Sequence, residues 1–195
     1  SASTYGKGDA GKIEIQATEG VNVGGELNSR VNDKAVGNSG GITIDTSTLT
    51  LEKGGFIDAS TSGKGNAGKI EIQASQGVTV GGVLSSTVFD TGEGNSGGIT
   101  IDTSTLTLEN GGFIDADTYG KGSAGKIEIQ ATEGVNVGGA LNSRVTATGE
   151  GNSGGITIDT STLTLENGGY IDASKSGKGN AGDIAIKATQ GVTVG

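Results

Sequence analysis

Three aspartates recur at one spacing in this chain: Asp58, Asp115 and Asp172, each in an Ile-Asp-Ala segment and each 57 residues from the next. Paired carboxylates perform general acid/base chemistry, and in glycoside hydrolysis they stand roughly 5 to 9.5 Å apart. Two turns of a stacked β structure separate equivalent residues by about 9.6 Å, so distance alone does not exclude that chemistry. An active site is a single asymmetric constellation, however, and these are copies of one residue. Repetition therefore favours a solvated structural column. Asp115 and Asp117 also form an Asp-x-Asp pair of the kind calcium sites use. The related turns carry Asp58/Ser60 and Asp172/Ser174, and no GGxGxD nonapeptide occurs, so no metal site is expected. No catalytic residue and no cofactor-binding residue is assigned.

Other side chains offer surface chemistry. Asn22, Thr50, Thr79, Thr107, Asn136, Thr164 and Thr193 form a regular Thr/Asn series. Ice binding uses such arrays, but Thr is also favoured in strands for its shape. Phe56, Phe113 and Tyr170 make a sparse aromatic series for which corner packing is favoured over sugar stacking, and Tyr5 and Tyr119 match each other across two repeat units. Irregular loops near Arg30–Val36, Thr87–Gly92 and Arg144–Gly149 are the candidate glycan contacts.

Composition removes several function classes. With no Cys, neither disulfides nor thiolate metal sites can form, and with no His the commonest general base and metal ligand is missing. A net charge of −9 argues against nucleic acid or an anionic membrane as partner. No apolar run approaches membrane-spanning length, so no membrane insertion is expected. The 40 glycines and scarce aromatics leave a thin core, yet the Ile, Val and Leu residues keep a strict periodicity that a disordered chain has no reason to hold.

That periodicity defines the elements. The stretch GNSGGITID at Gly37–Asp45 returns at Gly94–Asp102 and Gly151–Asp159, and a weaker version, GNAGKIEIQ, lies between at Gly65–Gln73. Aligning the first isoleucine of each copy gives Ile13, Ile42, Ile70, Ile99, Ile127, Ile156 and Ile184, in steps of 29 and 28 residues. Within each step, three short segments alternate apolar with polar residues, as strands with one buried face do. The spacing predicts an all-β fold: a parallel β-helix of three short strands per turn, 28 or 29 residues per turn, with a 57-residue two-turn repeat and about seven turns. Parallel crossovers are overwhelmingly right-handed, which predicts a right-handed coil. At about 4.8 Å per turn the rod would be on the order of 33 Å long.

The predicted core columns follow. Ile13 and Ile15 begin the first face, Val21 and Val23 the second, and Leu27 the third, each continued by its equivalents in later turns. Asn, Asp or Ser between glycines, as in Gly37-Asn38-Ser39-Gly40, marks one corner, where a side-chain amide can bond to its equivalent one turn away. Gly24-Gly25 and Gly54-Gly55 mark another; with no helix following, these are backbone requirements rather than phosphate loops. Outward first-face positions alternate Glu14, Thr43, Glu71, Thr100, Glu128 and Thr157, which keeps like charges from facing each other across adjacent strands.

The repeat GN-[AS]-G-x-[IL]-x-[IV]…L-T-L…G-G-x-I-x-A-S-T resembles that of filamentous-haemagglutinin-like, two-partner-secreted exoproteins, particularly the repeat-rich cyanobacterial surface proteins. The resemblance implies an exported β-helical passenger acting extracellularly or at the bacterial cell surface as an adhesin, sheath component or fibre. Residues 1–195 read as one β-helical segment of a longer array, with units at roughly 6–62, 63–119 and 120–176 and a partial unit at 177–195. The chain begins and stops mid-turn without a capping pattern, which predicts copies of itself, stacked end to end and bundled laterally, as partners. A structural fibre segment that is not an enzyme is the first expectation. An adhesin shaft binding glycans through its loops or Thr/Asn face is the alternative, and a polysaccharide-active enzyme is the remote one.

Overall fold

The computed structural model describes residues Ser1–Gly195 and is a parallel β-solenoid of about six turns. The first turn holds β1 (Ile13–Gln16), β2 (Gly20–Val23) and β3 (Glu26–Asn28). Each later turn holds one long strand and, in all but the last, one short one. These are β4 (Ile42–Leu51) and β5 (Phe56–Asp58), β6 (Ile70–Val80) and β7 (Val83–Ser85), β8 (Ile99–Leu108) and β9 (Phe113–Asp115). They continue as β10 (Ile127–Val137) and β11 (Ala140–Asn142), β12 (Ile156–Leu165) and β13 (Tyr170–Asp172), and end with β14 (Ile184–Val194). No helix is long and apolar enough to cross a membrane.

The first-face isoleucines pair one with the next through the whole stack, Ile13 to Ile42, Ile42 to Ile70 and onward to Ile184. The register is fixed by burial, because a one-residue slip would turn every core side chain to solvent. Ile42, Ile44, Leu49, Leu51, Ile70, Ile72, Ile99 and Ile101 are at most 1% exposed. Burying each contributes about 1.5–3 kcal/mol against an exposed reference.

The first two expected strands run on as one. From β4 onward, the first and second faces form a single strand of ten or eleven residues, bent where its register shifts, as between Ala74 and Gly77. An extra residue at this bulge in every second turn bends the ladder without ending it. The remaining extra residues are placed at different corners on alternate turns. An exposed turn at Lys53-Gly54 follows β4, whereas the turn at Asp33-Lys34 precedes it.

The segments expected as irregular loops are stacked as well. Thr4, Val31, Thr61, Val88, Thr118, Val145 and Lys175 form one column of parallel bridges, and Lys7, Val36, Lys64, Glu93, Lys121, Glu150 and Lys178 form a second. Val31 and Val88 are fully buried and Val145 is 1% exposed, so this side is a packed wall beside the main hydrophobic cluster. Arg30–Val36, Thr87–Gly92 and Arg144–Gly149 are therefore partly wall and only partly loop.

Polar columns close the corners. The Asn38 side-chain oxygen accepts from the Asn66 backbone N–H at 3.0 Å, Asn66 from Asn95 at 2.9 Å, and Asn95 from Ser123 at 2.8 Å. The donor is mainly backbone rather than a neighbouring side-chain amide. Beneath them, Ser29, Ser86 and Ser143 each donate to a glycine carbonyl, of Gly11, Gly68 and Gly125, at 2.7–2.8 Å. The intervening turns place Ala59, Ala116 and Ala173 at the same level. At Gly98, φ is +78° and a Cβ would lie 2.5 Å from the Lys126 carbonyl oxygen, so this corner has no room for a side chain.

Candidate functional site

The outer face of the short-strand sheet departs most from strict repetition. Side chains alternate across a strand, so Phe56, Asp58 and Ser60 point outward on one turn, and Val83, Ser85 and Thr87 on the next. Phe113, Asp115 and Asp117 follow, then Ala140, Asn142 and Arg144, then Tyr170 and Asp172. Register places Asp58, Ser85, Asp115, Asn142 and Asp172 in one column. The aspartates do recur, but their neighbours do not.

That difference makes one constellation. Arg144 donates to Asp117 Oδ2 from Nε at 3.1 Å and from Nη2 at 2.8 Å, while its backbone N–H donates to Asp117 Oδ1 at 2.6 Å. Asn142 Nδ2 donates to Asp115 at 2.7 Å, and Arg144 reaches Asp172 at 4.0 Å. Asn142 is 1% exposed and its Oδ1 has no partner, a cost the protein carries at this point. One repeat earlier, at the same two positions, Thr87 N–H donates to Ser60 Oγ at 2.9 Å, and Ser60 and Ser85 hydroxyls meet at 3.0 Å. Arg30 pairs with Asp58 at 3.3 Å.

The expected solvated aspartate column is corrected by these contacts. Of the three, Asp58 is buried at 7% exposure beside Arg30, and Asp115 and Asp172 are half-buried; the neighbouring Asp117, gripped by Arg144, is 1% exposed. Burial pushes the Asp115 carboxyl from its ordinary 3.8 up to about 6, opposed by the Asn142 hydrogen bond and reinforced by the nearby Asp117 charge. Burial likewise raises Asp117, against the hydrogen bonds from Arg144. Arg144 stays protonated: its own desolvation opposes the charge, but the Asp117 carboxylate outweighs it. Burial, with Asp117 close by, also raises the Tyr119 hydroxyl. Asp117 thus serves as a sealed anchor between turns. No group of three or more acidic side chains is placed to hold a metal ion.

The aromatic residues are surface features rather than corner packing. Phe56, Phe113 and Tyr170 are 38–43% exposed, because they stand outward on β5, β9 and β13 with Val83 and Ala140 between them. Tyr5 is freely exposed, whereas Tyr119 stacks on Phe89, with ring centroids 6.4 Å apart. The Arg30 guanidinium lies 5.5 Å over that same Phe89 ring. The Thr/Asn series is in register along the bent strands from Asn22 to Thr193. It is not uniform, since Asn22 and Asn136 turn aside to donate to Glu52 and Glu166 at 2.8 and 2.6 Å.

Asn142 lies outside every segment singled out from the sequence, and the pairings of Arg30, Phe89 and Arg144, which lie in the candidate loops, escape a reading confined to one turn. The signal that finds them is outward alternation, residue i with i+2, compared between successive turns. No protein-family model, curated protein or solved structure matches this chain. The fold defines it as a parallel β-solenoid repeat protein, and the site as a clamp between adjacent turns beside a strip of exposed aromatic rings.

Proposed function

We propose that the chain is a stretch of stiff shaft, a structural element of an extracellular or cell-surface fibre with no catalytic step of its own. The observation that carries this reading is the unbroken in-register pairing of every turn with the next, from Ile13 through Ile184, over one continuous core. Bending such a rod means stretching backbone hydrogen bonds and opening close-packed side-chain columns together, which makes it resist flexure. Each rung offers the next the same ladder, so further copies of the chain are the partners proposed for end-to-end stacking, with flat outer sheets for lateral bundling. The surface location rests on the resemblance of the repeat to two-partner-secreted exoproteins.

A second reading, an adhesin shaft that contacts glycans, is favoured by one observation: exposed Phe113 and Tyr170 flank the polar group of Asp115, Asn142 and Arg144. Atomic-force imaging of the native protein tests the first reading. Straight rods whose contour scales with the number of repeats are expected; flexible or globular particles would overturn it. Loss of glycan binding on Phe113→Ala/Tyr170→Ala would support the second.

A further inference from the structure

A polar groove follows the bend of the long strands. Where the register shifts, the outward side chains enclose about 750 Å³ lined by Gln16, Asp45, Gln73 and Asp102 with Thr and Ser residues beside them. A second depression shares Asp102 and Thr132 with it and carries the groove on through Gln130 and Asp159 to Thr189. The groove therefore runs parallel to the solenoid axis along most of the rod. Its floor is formed by the small residues at the bend, Thr46, Ala74, Thr103 and Ala131, all at most 5% exposed.

One column of amides and carboxylates follows this groove. Gln16, Asp45, Gln73, Asp102 and Gln130 are in register and exposed. Several other polar side chains bond within the protein: the corner Asn oxygens to the next backbone N–H, Lys69 to Glu71 at 2.6 Å, Asn136 to Glu166 at 2.6 Å. These five side chains bond to no protein group, and only the further member Asp159 has a partner, Lys187 at 3.0 Å. They leave an ordered row of amide donors and carboxylate and amide acceptors facing an open trough.

We propose that this groove binds a linear, uncharged glycan lying along the axis. Amide and carboxylate groups grip vicinal hydroxyls with paired hydrogen bonds, and concave polar sites of this kind set orientation through a few directed groups. The row repeats Gln then Asp every two turns, about 9.6 Å. An extended β-linked chain repeats its own geometry every disaccharide, over a similar length, so successive disaccharides meet the same Gln/Asp pair. Asp45 and Asp102 repel uronate or sulfated chains, which selects the neutral class. The groove shares no lining residue with the exposed aromatic strip and does not depend on the shaft reading: a stiff rod that binds nothing leaves that reading standing.

The test is a binding measurement on the full chain with immobilised neutral linear hexasaccharides (β-glucan, xylan and mannan series) and their uronate counterparts. At least one neutral hexasaccharide is expected to bind and the uronates are not. The variant Gln16→Ala/Gln73→Ala/Gln130→Ala, whose side chains are exposed and whose fold is checked by far-UV circular dichroism, should bind at least about tenfold more weakly. Tyr5→Ala, at an exposed residue outside the groove lining, should bind as the parent does. No binding of any neutral hexasaccharide, equal or stronger binding of uronates, or retention unchanged in the glutamine variant would each overturn the proposal.

Discussion

Arg144 grips Asp117 on the preceding turn through two side-chain donors, at 2.8 and 3.1 Å, and seals a carboxylate that is 1% exposed. The corresponding pair one repeat earlier is Ser60 and Thr87, joined by a single neutral hydrogen bond. The same two backbone positions thus hold either an ion pair or a hydroxyl contact. Arg144→Ala, which strands Asp117, should lower stability to denaturant by about 3–5 kcal/mol. The double variant Asp117→Ser/Arg144→Thr, which restores the upstream pair, should recover most of that loss. A double variant as unstable as Arg144→Ala would contradict the account.

Asp115 makes stability depend on pH. Its folded carboxyl, pushed up to about 6 by burial, holds a proton that the unfolded chain releases near 3.8. The contribution is therefore present below about 3.8 and is lost as pH rises through 6. At 1.36 kcal/mol per unit, the gap sets a ceiling of about 3 kcal/mol. Asp115→Asn, which still accepts from Asn142, should flatten stability between pH 4 and 7 and raise it at neutral pH. Urea melts across that range measure both effects.

Charge alternation on the first face is testable by breaking it. Thr100 stands between Glu71 and Glu128 on neighbouring strands, each of which has a lysine two residues before it, Lys69 and Lys126, within ion-pair distance. Thr100 has Gly98 at that position, so a glutamate there would face two like charges with no cation of its own. Thr100→Glu should cost about 0.4–2 kcal/mol over the two contacts, and less at high salt. A salt-independent loss would point to packing instead.

Two glycines separate backbone conformation from space. Gly54 has φ +85° and nothing within 4 Å of where a methyl group would stand, whereas at Gly98 the methyl would meet a carbonyl oxygen at 2.5 Å. Gly54→Ala should cost about 1–2 kcal/mol, the left-handed penalty alone. Gly98→Ala should cost more, because its backbone must also move. Thermal melts of the two variants side by side give the comparison.

Much of this fold is legible because each turn repeats the same burial problem. The isoleucine columns, the Asn corner and the Glu/Thr alternation all fall where period-2 patterning and the 57-residue spacing put them. The fusion of two faces into one bent strand is not legible, because a bulge such as that between Ala131 and Gly134 leaves apolar alternation intact on either side. Nor is the packed wall: Val31, Val88 and Val145 are single apolar residues per turn, alternating with Thr61, Thr118 and Lys175, so they show no run of hydrophobic character. The Asp117–Arg144 clamp is hidden for a related reason. Its partners lie on different turns, and the repeating aspartates carry no sign of their unequal neighbours.

The most direct test of a stiff, stacked shaft is cryo-electron microscopy of the native protein, with diffraction along the rod axis. Straight filaments are expected, with a strong layer line at about 4.8 Å from stacked rungs and a weaker one at about 9.6 Å from the two-turn unit. Short particles without an axial repeat, or strands running along the axis rather than across it, would contradict it.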